Sequence, residues 1–216
     1  MTSEFLLTDK KAFTFYGTFM ALAYLTPVIG GWLSDQVLGM RKAVLIGGTI
    51  VFGGCLLLAI PHETLRFLGL ALVSVGVGFF KPNALMAVGQ LFPLKTSKMK
   101  DSAYTTLYVG MNMGSFIGPL FCGWIAILYG WQMVFPFLGL SIFLASLIFH
   151  KTVKNHPLFK EIKPKPLNPL ISYGGVFLMI PLVFLILIYA PQMAWLMPII
   201  ILSSLGCLGI VFVKSK

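Results

Sequence analysis

The sequence predicts an all-α membrane protein with about seven transmembrane helices. Hydrophobic residues make up 58% of its 216 residues and charged residues only 10%, whereas about a quarter of the residues in a soluble domain are charged. Seven spans of about 20 residues each fit this length and leave only short connections. Helices are favoured because lipid cannot hydrogen-bond to the backbone, and the alternating pattern of a membrane barrel is absent from the sequence.

Long apolar runs with few breaks define the predicted spans in order. They are approximately Ala12–Leu33, Ala43–Ile60, Phe67–Leu91, Thr105–Leu128, Met133–Phe149, Leu170–Tyr189 and Ala194–Val213. The fifth is at the short limit for crossing a bilayer, and the last two are the most uniformly aliphatic. We therefore divide the chain into a bundle over residues 1–149, a basic linker over 150–169 and a helix pair over 170–213.

Basic residues are concentrated on one side of this predicted bundle. The chain has 16 Lys and Arg residues against 6 Asp and Glu residues, a net charge of +10. Twelve of the basic residues fall in the connections after the first, third and fifth spans and in the C-terminal tail. The positive-inside rule makes this side cytoplasmic. We expect a multi-pass protein of the cell (inner) membrane with its N-terminus outside and its C-terminus in the cytoplasm, and nucleic acid is disfavoured as a partner.

Catalytic, metal and disulfide chemistry are all disfavoured. No predicted span carries a nucleophile–base pair or a metal-binding constellation, so we predict no enzyme activity, no metal and no cofactor. The three cysteines, Cys55, Cys122 and Cys207, are dispersed in apolar runs. Such cysteines are interpreted as small buried hydrophobic residues.

Lys81 is the residue that lipid burial explains least well. It lies ten residues before Leu91, the end of the third span, and about 15 Å of helix is too far for easy snorkelling. Because a lysine near the bilayer centre costs about 2.5–3.5 kcal/mol, we expect it to face a cavity and pair with an acid; the alternative is a lysine that reaches a water defect. All six acidic residues fall in tails, loops or span ends, so no partner is visible. Pro82 is expected to break the ladder of helical hydrogen bonds and free the Gly78 carbonyl.

Two further spans carry candidate binding or packing residues. The fourth span has a four-residue glycine repeat that predicts close helix packing: Gly110, Gly114 and Gly118. Asn112 lies about 160° around the helix from the first two of these glycines, so we expect its amide to face a cavity and hold a polar ligand. Tyr24 in the first span is a similar candidate, and the alternative is an ordinary buried or interfacial tyrosine.

The predicted connection between the first two spans combines an acid, a turn and a basic pair. A turn at Gly39 would place Asp35 near one helix end and Arg41 and Lys42 near the next, where helix dipoles favour such charges by about 0.3–1 kcal/mol each. Such a connection can latch neighbouring helix ends in one conformation. The alternative is a turn that only sets topology, for which the basic pair suffices.

Three segments together resemble the proton-dependent oligopeptide transporter family of the major facilitator superfamily. The segment 31–42 is similar to the superfamily signature G-x-L-A-D-R-x-x-G-R-R, with departures at Gln36 and Met40, where basic residues are usual. Residues 78–83 match the family's G-F-F-K-P-N element, and residues 108–114 are similar to its Y-M-G-I-N-L-G segment.

The resemblance implies a partial major facilitator superfamily fold. It covers about residues 5–149, and the last two spans are similar to the extra helix pair of bacterial members. In this register the chain lacks the family's first helix and its C-terminal half, and each of these supplies an intramembrane acid. We therefore expect a fragment that is not competent for transport alone.

The resemblance also implies a function and site residues. The implied function is a proton-coupled di-/tripeptide symporter, whose partners are peptides, protons and the lipid bilayer. Tyr24, Lys81 and Asn112 would bind the peptide, and Lys81 would also couple protons. The cytoplasmic latch would be formed by Gly31, Asp35, Gly39, Arg41 and Lys42. The alternative is a non-transporting membrane remnant, or a half-transporter subunit that assembles with a separate complementary chain.

Overall fold

Six α-helices make up most of the structure, a computed structural model that describes residues 9–91, 97–155 and 169–189. The helices are α1 (Asp9–Leu33), α2 (Met40–Leu58), α3 (Glu63–Leu91), α4 (Ser97–Tyr129), α5 (Trp131–Asn155) and α6 (Pro169–Tyr189). A π-helical segment, Ser34–Leu38, continues α1. The prediction of an all-α membrane protein is confirmed.

The first five predicted spans correspond to helices of membrane-crossing length. Within the described residues, α1 to α5 each contain such a span, and α6 contains a shorter apolar stretch, Leu178–Tyr189. The fifth helix is longer than predicted, because it continues through the first basic residues of the expected linker to Asn155. The seventh predicted span, 194–213, lies outside the described residues, and the division into domains stays a prediction.

The connection between the first two spans is shorter than the sequence predicts, because the chain there is helical almost throughout. The π-helical segment ends at Gly39, and α2 begins at the next residue. Gly39 has a φ of 70°, a conformation that glycine adopts without a steric penalty. Its N–H donates to the Ser34 carbonyl at 2.9 Å, and its own carbonyl accepts from the Ala43 N–H at 3.0 Å. The predicted turn at Gly39 is therefore present as a junction of one residue.

Helix α3 lies at the centre of the described bundle. It packs most extensively against α2, then against α1, and α6 also lies against it. A hydrophobic cluster fills the space between them; it includes Phe15, Leu22, Ala71, Val75, Phe79, Met179, Val183 and Leu187. These contacts make α3 the element whose side chains are most strongly positioned by neighbours.

Glycines allow α2 and α3 to approach closely at two levels. A Cβ atom on Gly47 would lie 2.7 Å from the Gly76 carbonyl oxygen, and one on Gly54 would lie 2.7 Å from the Gly69 carbonyl oxygen. Such distances are too short for any side chain larger than hydrogen. The packing glycines of these two helices were not predicted, whereas the glycines that were predicted to pack lie on α4.

Candidate substrate and proton-coupling site

Lys81 and Asn83 lie on opposite sides of α3. Residues two positions apart on a helix are separated by about 200° around its axis, so the side chains of Lys81 and Asn83 point in nearly opposite directions. Lys81 is exposed, and Asn83 is completely buried at 0% relative exposure. The motif Gly78–Asn83 thus presents its lysine on the open side of α3 and its asparagine to the packed side.

The buried side of this motif is hydrogen-bonded to the end of α1. The Asn83 Nδ2 donates to Ser34 Oγ at 2.8 Å and to the Phe79 carbonyl at 2.7 Å. Ser34 Oγ in turn donates to the Gly30 carbonyl at 2.6 Å. Ser34 Oγ and the Phe79 carbonyl therefore both act as acceptors. The Asn83 amide must be oriented with its donor atom, Nδ2, towards them. One side-chain amide connects the two helices and closes a turn of α3.

A second hydrogen bond joins the same two helices two turns away. Thr26 Oγ1 donates to the Ser74 carbonyl at 2.8 Å, and Thr26 is only 1% exposed. A net contribution of about 0.5–1.5 kcal/mol is typical of such a bond. The bonds at Thr26 and Asn83 hold α1 and α3 at a defined rotation about their axes.

Pro82 lies inside α3, so the missing backbone donor that the sequence predicts falls within a continuous helix. The helix runs from Glu63 to Leu91 through the proline. Two glycines of α1 face the segment: a Cβ on Gly31 would lie 3.5 Å from Pro82 Cβ, and one on Gly30 would lie 2.5 Å from the Gly78 carbonyl oxygen. Gly30 of α1 therefore faces the carbonyl that the proline leaves without its helical donor.

Lys81 forms no salt bridge with any carboxylate among the described residues. The acids nearest to it along the chain are Glu63, in the first turn of α3, and Asp101, in α4; both are exposed. The role of Lys81 in binding and coupling stays a prediction.

The two other predicted substrate residues are also exposed. Tyr24 on α1 has 75% of its surface exposed. The Asn112 Nδ2 donates to the Tyr108 carbonyl one turn earlier in α4 at 2.9 Å. Its Oδ1 and second N–H are directed away from that bond and can serve a ligand. No hydrogen bond joins Tyr24, Lys81 and Asn112 among the described residues, so the structure places them on three different helices without connecting them.

The predicted latch residues divide between the packed interface and the surface. Gly31 lies against Pro82 and Gly39 forms the junction between helices, so both are structural. Asp35 and Lys42 are exposed, and Arg41 is half-buried. Asp35 belongs to the π-helical segment that begins at Ser34. The segment is therefore attached to α3 through Ser34, a residue that the sequence comparison with the latch signature did not single out.

The glycine repeat of α4 has no packing partner among the described residues. A Cβ on Gly110, Gly114 or Gly118 would meet no other heavy atom within 4 Å. Most side chains of α4 are exposed, and the helix packs chiefly on α5. The helix-packing role of these three glycines stays a prediction. No group of three or more potential metal ligands occurs in the described part of the chain.

Comparison with known proteins decides the family. A sequence model of the POT family matches residues 41–202, which is more than half of the chain. The chain belongs to the POT family. Dipeptide and tripeptide permease A of Serratia proteamaculans (strain 568) is 34% identical over 169 residues, which are 74% of this chain and 33% of the permease. The uncharacterized transporter YclF of Bacillus subtilis (strain 168) is 31% identical, with 77% of this chain and 34% of that protein covered.

Solved structures of the POT family share the fold of this chain. A bacterial homologue of the human drug peptide transporters PepT1 and PepT2 matches with a TM-score of 0.79 and 26% identity, over 98% of this chain and 48% of that chain. A mutant of the peptide transporter POT in complex with alafosfalin matches with a TM-score of 0.70 and 30% identity, over 82% of this chain and 38% of that chain. The chain spans about a third of the length of the curated relatives that it matches.

Proposed function

We propose that the chain contributes one part of a proton-coupled di-/tripeptide symporter, with its N-terminus outside and its C-terminus in the cytoplasm. Membership of the POT family supports peptide transport, because relatives carry the name of dipeptide and tripeptide permeases. The orientation is supported by the one-sided distribution of lysine and arginine.

The observation that carries the proposal is the position of Lys81. Its helix is held by a buried amide and three small or hydroxyl-bearing residues of α1 and the π-helical segment, while the lysine itself is directed to the open side. A cation held in this way at membrane depth suits alternating interactions with a peptide carboxylate and with a side-chain acid whose protonation releases it. Tyr24 and Asn112 would contact the peptide from α1 and α4.

A chimera tests this function in a protein of full length. Residues 9–155 of this chain would replace the matching segment of the Serratia permease, and dipeptide uptake driven by a pH gradient would be measured in proteoliposomes. We expect uptake by the chimera, and its loss when Lys81→Ala removes the charge. Lys151→Ala is the matched control, because Lys151 is an exposed lysine near the end of α5, and it should leave uptake unchanged.

The mode of coupling is separated from binding in the same vesicles. Counterflow, the exchange of labelled for unlabelled dipeptide without a pH gradient, needs binding and conformational change but no net proton transfer. If Lys81 couples protons, Lys81→Ala loses gradient-driven accumulation more strongly than counterflow. Uptake that Lys81→Ala leaves at the level of the Lys151→Ala control would refute the proposed role.

A further inference from the structure

The segment of α3 that carries Lys81 lacks one of the backbone hydrogen bonds of a regular helix. Pro82 has no N–H to donate to the Gly78 carbonyl, so α3 lacks one hydrogen bond one turn before the proline, and a helix commonly bends at such a site. Lys81 precedes the proline directly. Its direction therefore depends on whether the helix bends there, and by how much.

Three residues of α1 and the π-helical segment lie on one side of α3 at the level of Pro82. Gly30 approaches the Gly78 carbonyl, Gly31 faces the Pro82 ring at a distance that leaves room for a Cβ, and Ser34 accepts from Asn83. The approach of Gly30 brings a Cα hydrogen towards the carbonyl that lacks its usual donor, which is a weak but recurring contact between helices. The spacing of 30, 31 and 34 places all three on one face of the helix.

On the α3 side of these contacts, Asn83 is the only residue that takes part through a polar side chain. Both of its described hydrogen bonds use Nδ2, one within α3 and one to Ser34, while the buried Oδ1 has no partner among the described residues. The Asn83 amide is thus oriented to donate hydrogen bonds both to Ser34 and within α3. Its bond to the Phe79 carbonyl adds a donor one residue beyond the one that proline removes.

We propose that Asn83 and Ser34 are positioning residues for Lys81: together they hold the proline segment of α3 straight against α1, so that the lysine is directed to the open side. This inference rests on the proposed function for its importance in transport. It adds that the direction of the Lys81 side chain depends on contacts on the opposite side of α3, which are made with the π-helical segment next to the latch residues. Neither Asn83 nor Ser34 contacts the peptide in this scheme.

The test measures the surroundings of Lys81 without transport. The full 216-residue chain in lipid nanodiscs is treated with an amine-acylating reagent, and mass spectrometry gives the acylation rate of Lys81 relative to exposed Lys151 in the same molecules. In Asn83→Ala and Ser34→Ala, we expect this ratio to fall by about twofold or more, the population change that loss of one hydrogen bond produces.

A matched control and a double variant sharpen the result. Ser141→Ala also deletes a hydroxyl that bonds a backbone carbonyl of its own helix, but Ser141 is exposed and accepts from no other helix in the described part of the chain; it should leave the ratio unchanged. Since the bond between Asn83 and Ser34 is already lost in Asn83→Ala, the double variant should change the ratio little more than Asn83→Ala alone. If Asn83→Ala does not fold, Ser34→Ala carries the test alone, because it keeps the bond from Asn83 to Phe79.

The outcomes distinguish this inference from the proposed function. If Asn83→Ala and Ser34→Ala both fold and leave the acylation ratio unchanged, the positioning is overturned, whatever the chimera transports. A changed ratio combined with full uptake by the Lys81→Ala chimera would leave the positioning intact and refute the role of the lysine in transport.

Discussion

Gly47 of α2 lies so close to α3 that a single added methyl group should push the two helices apart. A Cβ there would lie 2.7 Å from the Gly76 carbonyl oxygen, 2.8 Å from the Phe80 backbone nitrogen and 3.1 Å from the Phe79 Cβ. Ordinary contact begins at 3.4 Å, so the backbones must separate by roughly 0.7 Å, a distance that close-packed interiors do not absorb freely. None of these atoms can turn away as a flexible side chain would.

The magnitude follows from a comparison within the same helix. Overpacking of this kind costs about 1–3 kcal/mol, whereas replacing glycine by alanine in a helix interior gains up to about 1 kcal/mol. Gly53 is also in α2, but a Cβ there meets nothing within 4 Å. Because the helix-propensity gain is common to both changes, Gly47→Ala should be less stable than Gly53→Ala by the overpacking cost alone, about 1–3 kcal/mol.

Equilibrium unfolding of the purified chain in mixed micelles measures this difference, with tryptophan fluorescence and far-ultraviolet circular dichroism as two probes. Coincident transitions from the two probes justify a two-state free energy. The reasoning fails if Gly47→Ala is as stable as Gly53→Ala or more stable, because the close approach of α2 and α3 would then not exist in the protein.

Three further changes test other parts of the fold by the same unfolding measurement. Thr26→Val, which removes the buried bond to the Ser74 carbonyl, should lower the free energy of unfolding by about 0.5–1.5 kcal/mol; the same change at exposed Thr49 should stay within about 0.5 kcal/mol of wild type, and equal effects at both sites would contradict the role of the bond. Gly39→Ala should cost about 1–3 kcal/mol, since alanine is strained at a φ of 70°, and a neutral result would mean that the junction has another conformation. Gly114→Ala should be neutral or stabilising by up to about 1 kcal/mol in this chain but should lower the melting temperature of the Serratia chimera if the repeat packs there; a loss of stability in the chain alone would show a partner within the chain.

The α4 repeat and the α1–α3 contacts show how much about helix packing the spacing of glycines can predict. The regular spacing at Gly110, Gly114 and Gly118 is visible in the sequence, but spacing alone does not say whether another helix lies opposite. At Gly30 and Gly78 the close approach is made by one glycine from each of two distant segments. A single-sequence pattern cannot pair them, because the pairing depends on how the helices cross.

The candidate site was predictable in part for the same reason. Lys81 was identifiable because a charge within an apolar run is energetically exceptional on its own. Its neighbour Asn83 is a common polar residue whose importance comes from reaching Ser34, 49 positions away in the sequence. The missing donor at Pro82 was predictable from the sequence, whereas the approach of Gly30 to the Gly78 carbonyl was not, because it joins two segments far apart in the chain.

The sequence by itself determined the class of the protein, the approximate spans of its first six helices and the family to which it belongs. These depend on composition, on the length of apolar runs and on short contiguous motifs, all of which are local properties of the chain. Only the tertiary structure decided which side of α3 faces α1, where the backbones touch, and that Gly39 alone joins the π-helical segment to α2. Those features arise from contacts between segments far apart in sequence, where the energy belongs to the pair of surfaces and to neither segment alone.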